Sequence, residues 1–449
     1  MLRVTPKRFF VLSLLISCIT VCGVATFAQA QLVVPAVDLE PRLRSVELCP
    51  DNEVVVSLQG QGPGGLRALN YRNGSWVERT IADLPVRAES IDIGSIKPGK
   101  NSLVAGLSAP YPGSAGSVRI FTYNKNSAVW DQEALGSDIL GNVEAIAIGD
   151  VDRDGQAEVI AGIEGWQWET RVRAYRYNRT NNSWSYEAIS PPSYQNEVQY
   201  VDVVNLYGNG QPYVLILTSN WHFTPALSEL RAYKRVNGVW TSELLAANIG
   251  GFASAERLAV ANLDSDPELE IIVGMHSGYL GMPGALYMVD YNGSSWNPIE
   301  MNTTLGVVDG LGTGYLSGSS TPDIIVGTDK KVLLYSKLQG SWTPRVLQEP
   351  LNATLAWDAD IGTIEGLGAL GLVPLDSRLM MYRKGSGSVM TTATIRTMPR
   401  NIDSAQIGDV DQLQYACSFK KSLQLGDLSG AAVDSVDTLS NPLLLDLNW

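Results

Sequence analysis

Apolar and polar positions alternate along this chain in short runs, and the same order of runs recurs. An apolar run over Val143–Ile148 leads through a polar loop to a second run over Glu158–Ile163. An alternating segment over Arg171–Tyr177 follows, and an Asn/Ser turn typical of a tight hairpin leads to a last segment from Trp184. The pattern predicts four short antiparallel strands and indicates no helix.

Tryptophan marks the same position in six copies of this unit, and a tyrosine precedes the turn before each one. The spacings between successive tryptophans are 54, 54, 56, 56 and 46 residues. The six are Trp76, Trp130, Trp184, Trp240, Trp296 and Trp342. A seventh copy starts at Tyr382 and has Val389 in place of tryptophan. We interpret the recurrent tyrosine and tryptophan as packing between neighbouring units.

Seven such units fit between about residue 44 and residue 400. Four antiparallel strands per unit predict an all-β fold, a seven-bladed β-propeller of four-stranded antiparallel blades spanning residues 44–415. The segment from Ile402 begins as a further copy, so three outcomes stay open: a terminal strand that completes the first blade, an eight-bladed ring, and a disordered tail. Residues 416–449 form a C-terminal tail, and beyond Ser422 no copy is evident.

The first thirty residues predict the compartment in which the mature protein is found. Arg3, Lys7 and Arg8 precede an apolar stretch over Phe9–Val24, and a small-x-small pattern ends at Ala30. This is typical of a secretory signal peptide over residues 1–30, cleaved near Ala30, and therefore of a secreted, extracellular or periplasmic protein. A membrane anchor is the alternative, although the apolar stretch is short for one. We expect no membrane insertion of the mature chain.

Charge and composition limit the classes of partner and of catalytic site that this chain can have. Without the signal, 30 basic residues face 46 acidic ones, a net charge of −16. That balance argues against nucleic acid and anionic membranes and suits cation binding. The chain has only two histidines, His222 and His276, too few for the usual Ser-His-Asp, Cys-His and zinc sites. We expect a monomer.

Two cysteines remain after removal of the signal, Cys49 and Cys417. In an oxidising compartment they predict a disulfide that joins the two ends of the mature chain. Two unpaired thiols are the alternative.

The loop in "GDVDRDGQAEVIAGI" carries four carboxylates in nine residues. Calcium binds six to eight oxygens, and acids at alternate positions followed by a glycine can wrap such an ion. The flanking segments are strands and position twelve is Ala161, which excludes an EF-hand. A solvated acidic turn is the alternative. The predicted ligands are Asp150, Asp152, Asp154, the carbonyl of Gln156, and Glu158.

A second loop, "NLDSDPELE", keeps the spacing with three carboxylates and has Pro267 in place of the glycine. Because proline fixes φ, its turn differs from that of the first loop. The predicted ligands are Asn262, Asp264, Asp266 and Glu270. In both loops we expect calcium to be structural.

This arrangement resembles the FG-GAP, or VCBS-type, repeats of the integrin α-subunit propeller and of secreted propeller lectins. There the loop reads Asp-x-Asp/Asn-x-Asp/Asn-Gly-x-x-Asp, and Asp150, Asp152, Asp154 and Gly155 match it while Glu158 replaces the last aspartate. The resemblance implies the fold and calcium but no particular ligand. Most units lack the acidic loop, and the Phe-Gly…Gly-Ala-Pro pair is not evident.

The loops between second and third strands are rich in aromatic residues outside the periodic set. They lie together on the face opposite the acidic loops, where they suit stacking on sugar rings or a protein partner. Plugging of the central channel is the alternative. The candidate ligand-binding residues are Tyr111, Trp166, Trp168, Trp221, His222, Phe223, His276 and Tyr279.

Three functions fit these features. The first is a secreted, calcium-stabilised binding module for a glycan or an extracellular protein, carbohydrate-binding or adhesive and without chemistry. The second is a polysaccharide lyase or glycosidase on the same scaffold, for which Glu164 and Glu169 are candidate acids. The third is a purely structural surface protein.

Overall fold

The computed structural model describes residues 53–59, 64–97, 100–109, 115–124, 126–136, 139, 141–164, 171–190, 197–219, 228–251, 253–264, 266–276, 283–349, 356–364, 367–386, 389–398 and 401–406. These residues form 28 β-strands and no helix. Across the same ranges, no helix is long and apolar enough to cross a bilayer.

The strands group into seven antiparallel sheets of four, which we call blades 1 to 7. Blade 1 contains β1 (Glu53–Gln59), β2 (Gly64–Arg72) and β3 (Ser75–Leu84). Blade 2 contains β4 (Ala88–Lys97), β5 (Lys100–Leu107), β6 (Ser117–Asn124) and β7 (Val129–Leu135). Blade 3 contains β8 (Asn142–Gly149), β9 (Glu158–Glu164), β10 (Arg171–Asn178) and β11 (Ser183–Ala188). Blade 4 contains β12 (Glu197–Val204), β13 (Tyr213–Ser219), β14 (Glu229–Val236) and β15 (Val239–Ala247).

Blade 5 contains β16 (Ser254–Ala261), β17 (Glu270–His276), β18 (Gly284–Tyr291) and β19 (Trp296–Leu305). Blade 6 contains β20 (Val308–Gly314), β21 (Asp323–Thr328), β22 (Val332–Leu338) and β23 (Ser341–Gln348). Blade 7 contains β24 (Asp360–Ile364), β25 (Gly368–Leu375), β26 (Arg378–Lys384) and β27 (Met390–Thr397). The last strand, β28 (Asn401–Gln406), returns to blade 1.

The ring closes by pairing the last strand with the first. β28 runs antiparallel to β1, with Ala405 opposite Val56, and so supplies the inner strand that blade 1 lacks. The first strands of blades 2 to 7 contact one another in sequence, and β28 contacts β4. The seven-bladed propeller predicted from the sequence is confirmed, and of the three outcomes for the C-terminal segment the structure has the terminal strand that completes the first blade.

The hydrophobic core consists of seven clusters, one at each interface between blades. The cluster between blades 4 and 5 joins Leu215 and Leu217 of one sheet to Val273 and Met275 of the next. The cluster between blades 7 and 1 joins apolar residues near the two ends of the described chain in the same way. Each sheet is therefore covered on both faces only because the ring closes.

In blades 1, 2, 3 and 5 the periodic tyrosine and tryptophan lie opposite each other on the third and fourth strands. In the pair Tyr177 and Trp184 the ring centroids are 5.2 Å apart. The tryptophan also packs on the preceding blade, where the indole Nε1 of Trp184 donates to Glu133 at 2.9 Å. The predicted role of these residues in packing between units is confirmed.

In blades 1, 4 and 6, two-residue turns join the third and fourth strands. Asn73 and Gly74 have φ of 50° and 84°, the left-handed values of a type I′ turn. Asn237 and Gly238 repeat this geometry. Asn73–Gly74 and Asn237–Gly238 thus form the tight hairpin turns that the sequence predicts between the third and fourth strands.

Glycine on the second strand allows the next blade to come close. A Cβ atom on Gly274 would lie 2.7 Å from Cγ1 of Val308, which belongs to the inner strand of blade 6. Gly106, Gly162 and Gly327 occupy the equivalent position and meet the following blade at similar distances. At these positions the neighbouring blades can come this close only because the residue has no side chain.

We expect Gly274→Ala to lower the free energy of unfolding by about 1–3 kcal/mol, because the added methyl group overpacks the interface with blade 6. Urea denaturation measures the change. Gly65→Ala is the matched control, since its methyl group meets only the end of the flexible Arg67 side chain. Equal effects of the two substitutions would contradict this account of the interface.

Candidate metal sites in the loops between first and second strands

The two predicted calcium loops connect the first and second strands of blades 3 and 5. In blade 3, the carboxylate of Asp150 accepts hydrogen bonds from the backbone N–H groups of Asp154 and Gly155, at 3.1 and 2.9 Å. Gly155 has a φ of 83°, which permits the sharp turn. These aspartates therefore order the backbone of their own loop.

In blade 5 the loop is held by similar bonds. Asp264 Oδ1 accepts from the N–H of Asp266 at 2.8 Å, and Asp266 Oδ1 accepts from the N–H of Glu268 at 3.1 Å. The side-chain amide of Asn262 donates to the carbonyl of Asp266 at 2.6 Å. The Asn262 oxygen Oδ1 is the atom of this side chain that can accept a cation.

A buried carboxylate follows the loop in blades 3, 5 and 6 and ties it to the second strand. Glu158, Glu270 and Asp323 each begin that strand and are at most 1 % exposed. Each accepts the backbone N–H of a residue seven positions earlier. The three blades thus share one architecture at this position.

The residue opposite this position, on the third strand, differs between blades. In most blades the two side chains are a complementary pair that form a hydrogen bond or an ion pair. These pairs are Glu53 with Asn70, Ser102 with Thr122, Glu158 with Arg176, Tyr213 with Lys234, and Asp323 with Ser336. In blade 5 the pair is Glu270 and Asp290, two acids.

In blade 3, arginine supplies the positive charge. Arg176 Nε donates to Glu158 at 3.1 Å and its Nη2 pairs with Asp152. From blade 4, Arg235 Nη1 donates to the same Asp152 oxygen at 3.1 Å. Burial raises the pKa of Glu158 to about 7 even though Arg176 opposes the shift. Two of the predicted calcium ligands in this loop are therefore already in contact with guanidinium groups.

Gln156, predicted as a backbone ligand, uses its side chain to hold the hairpin of the same blade. Its Nε2 donates to the carbonyl of Tyr177 at 2.6 Å, and its Oε1 accepts from Arg179. The Gln156 side chain is thus part of the loop's support.

In blade 6, four donors satisfy the carboxylate without a cation. Asp323 accepts from the N–H groups of Leu316 and Ser317 and from the hydroxyls of Ser317 and Ser336. This carboxylate needs no further partner.

In blade 5, Glu270 lacks such compensation. Its Oε2 accepts the N–H of Leu263, whereas its Oε1 is buried and has no hydrogen-bond partner among the described residues. Ligand atoms of Asp264, Glu270 and Asp290 lie within 4.8 Å of one another. Burial and the neighbouring acids Asp264, Asp266 and Asp290 together raise the pKa of Glu270 to about 7, although the hydrogen bond from Leu263 opposes the shift.

A lysine approaches this loop but not its acids. Lys337 of blade 6 donates from Nζ to the carbonyl of Leu263 at 2.8 Å. Among the described residues, no cation forms an ion pair with Asp264, Glu270 or Asp290. A buried carboxylate that faces like charges is costly unless a cation joins it, so these residues fit a hard divalent cation such as Ca²⁺.

The sequence predictions did not include Asp290, Arg176 or Arg235. The signal for Asp290 and Arg176 was available, because each directly precedes the tyrosine that marks the third strand of its unit. The sequence does not show the pairing register of the second and third strands, which places Arg176 and Asp290 opposite the residue that follows the acidic loop.

Most of the predicted ligand-binding rim lies outside the described residues. This holds for Tyr111, Trp166, Trp168, Trp221, His222, Phe223 and Tyr279, for Glu169, and for Cys49 and Cys417 with their predicted disulfide. His276 is described and ends β17. Glu164 ends β9, is buried, and accepts a hydrogen bond from the amide of Asn142 at 3.0 Å.

No protein-family model and no curated protein matches the sequence. A candidate 6-phosphogluconolactonase from Bacteroides uniformis is similar in structure, with a TM-score of 0.54 at 8% identity over 79% of this chain and 99% of that one. Its counterpart from Bacteroides fragilis has a TM-score of 0.51 at 8% identity, over 80% and 98% of the two chains. The Dos1 propeller has a TM-score of 0.51 at 9% identity, over 81% and 90%. These likenesses show the β-propeller fold alone, and the FG-GAP/VCBS resemblance stays a prediction.

We expect Asp290→Asn to raise the unfolding free energy in excess chelator by about 1 kcal/mol. The change removes a like charge and places an amide donor opposite Glu270, as Asn70 is placed opposite Glu53. Thermal or urea denaturation measures it.

Asp323→Asn is the matched control, and we expect it to lower stability by about 1–3 kcal/mol because it disturbs a fully satisfied carboxylate. If Asp290→Asn also destabilised the protein in chelator, the pair of acids in blade 5 would not be under electrostatic strain.

Proposed function

We propose that this protein is a secreted, calcium-stabilised β-propeller that binds an extracellular ligand, a glycan or a protein, without chemistry. The observation that carries the calcium part is the buried Oε1 of Glu270, which has no partner among the described residues and faces Asp290. Calcium prefers oxygen ligands. In blade 5, carboxylate oxygens come from the loop, the second strand and the third strand.

The proposed ligands in blade 5 are Asp264, Glu270 and Asp290, joined by Asp266 and Asn262 of the same loop. Asp264 belongs to the loop and the other two acids to adjacent strands. An ion shared among them would fasten the loop to the sheet, as the hydrogen bonds of Asp323 do in blade 6. Calcium in this role is structural.

The loop from Asp150 to Glu158 is proposed as the weaker of the two sites. Arg176 and Arg235 already neutralise Asp152, and Arg176 also contacts Glu158. A calcium ion there would have to displace guanidinium groups or share their carboxylates. We therefore infer that blade 5 fills first.

Calcium at a hundredfold excess over its Kd would add about 2.7 kcal/mol to the stability of the native protein. We expect the Tm of the wild type to rise on addition of Ca²⁺ and to fall in excess chelator. Asp290→Asn should abolish most of that response, whereas Asp323→Asn should keep it. A Tm that does not differ between calcium and chelator would overturn the proposal for both loops.

Ligand binding is proposed at the face opposite these loops, where the second-to-third loops lie. The supporting features are the aromatic residues of those loops and the net acidic, secreted character predicted from the sequence. Secretion after cleavage near Ala30, the disulfide and a monomeric state belong to the same proposal.

We expect the calcium-loaded protein to bind at least one class of glycan on a glycan array. Trp221→Ala should weaken that binding by about tenfold or more, because stacking of the indole on a sugar ring is lost. Trp342→Ala, in the periodic packing set, is the control for indirect effects and should alter stability more than binding. Absence of glycan binding would leave an extracellular protein as the proposed partner, to be tested by cell-surface adhesion.

The lyase or glycosidase alternative has less support. Glu164, one of its two candidate acids, is buried and holds Asn142. A side chain in that position suits support of blade 3 better than contact with a substrate.

A further inference from the structure

Three side chains of types that can ligate a metal meet at the end of the blade 5 strands opposite the proposed calcium loop. Glu256 lies near the start of β16, His276 ends β17, and Asp309 lies near the start of β20 in blade 6. One ligand atom of each lies within 4.8 Å of the others. The loop of the proposed calcium site follows the far end of β16, so the two groups are distinct.

β-Bulges in the inner strands of blades 5 and 6 set the direction of the two acidic side chains, Glu256 and Asp309. In the pairing of β16 with β17 the register shifts between Ala255 and Arg257, which leaves Glu256 unpaired. In the pairing of β20 with β21 it shifts between Val308 and Gly310, which leaves Asp309 unpaired. A bulge re-aims the side chain of its extra residue.

Close packing of the two blades brings the acids and the histidine together. The approach of Val308 to Gly274 places Asp309 beside β17, two residues before His276. Arg257 then fixes the backbone, because its Nε donates to the carbonyl of Asp309 at 2.7 Å and its Nη1 to that of Glu256 at 2.9 Å. The three ligands thus come from rigid elements rather than from loops.

Equivalent bulges in other blades carry acids that have local donors. Glu89 accepts from the hydroxyl of Ser108 and pairs with Arg87, and Glu144 accepts from the amide of Asn142 at 3.0 Å. In blade 5, His276 takes the position that Ser108 has in blade 2. The group therefore combines one nitrogen ligand with two carboxylates.

A further buried acid packs its backbone against this part of blade 6. Asp358 of the segment before β24 packs its backbone against Gly310, directly after Asp309. It is 6 % exposed, and its Oδ2 has no hydrogen-bond partner among the described residues. Burial raises the pKa of this carboxyl well above its usual range, and the guanidinium of Arg257 opposes the shift.

We propose that Glu256, His276 and Asp309 bind a divalent transition-metal ion of the zinc class. An imidazole with two carboxylates suits Zn²⁺ and its first-row neighbours, whereas calcium takes oxygen ligands alone. Three protein ligands leave a coordination position for water or for a donor atom of a bound molecule. This end of the strands also carries the second-to-third loops, so the ion would lie beside the proposed ligand-binding face.

The test uses Co²⁺ as a spectroscopic probe. The purified protein is stripped with chelator, dialysed, and titrated with Co²⁺ in saturating Ca²⁺, which keeps the acidic loops filled. We expect one equivalent of Co²⁺ to bind with visible d–d bands shaped by a nitrogen ligand, and Zn²⁺ to displace it. His276→Gln and Glu256→Gln should each weaken binding by about 100-fold or more.

Glu300→Gln is the matched control, because it removes an exposed carboxylate of the same blade, outside both proposed sites, and should leave Co²⁺ affinity unchanged. Both variants of the site are checked for an unchanged Tm in chelator, and the partly exposed Glu256 keeps the test valid if His276→Gln is unstable. Wild-type protein that binds no Co²⁺ at one equivalent, or binding that His276→Gln does not weaken, would overturn the proposal and would identify the cluster as an imidazole hydrogen-bonded to two acids. Because calcium is held at saturation, this result is independent of the calcium response of Tm.

Discussion

Burial of both faces of every four-stranded sheet is the constraint on which this structure depends. A sheet with two apolar faces needs a neighbour on each side, and only a closed ring provides one for all seven sheets. The seven interface clusters, the second-strand glycines and the cross-strand tyrosine–tryptophan pairs all serve that contact. The proposed binding sites lie in what remains, the loops and the strand ends.

The same constraint explains why the fold could be predicted from the sequence. Each blade must repeat the solution of its neighbours, so tryptophan, the tight turn and the Gly-containing second strand recur at blade spacing. The periodicity gave the strand number, the hairpins, the packing role of residues such as Trp184, and the number of blades. The terminal copy from Ile402 was correctly considered as the closing strand, although the sequence did not distinguish it from an eighth blade.

The candidate sites could be predicted only in part, because they depend on pairs across strands. Spacing along the chain found Asp264 and Glu270 but not Asp290, which reaches them through the register between β17 and β18. It also gave the loop of Asp150 one more carboxylate than the second loop, but it did not show the arginines that blades 3 and 4 place against that loop. The group around His276 spans two blades and depends on bulges, which no local pattern in the sequence marks.

The pairing of β28 with β1 has a consequence for how the molecule is made. Residues 53–59 leave the ribosome early, yet their sheet stays one strand short until residues 401–406 have been synthesised. Blades 2 to 7 can form in order as the chain emerges, each from local hairpins, while the first waits with its inner edge open. Contacts of such long sequence separation form slowly, so completion of the ring is a late step whose rate depends on how fast one short segment finds its partner strand.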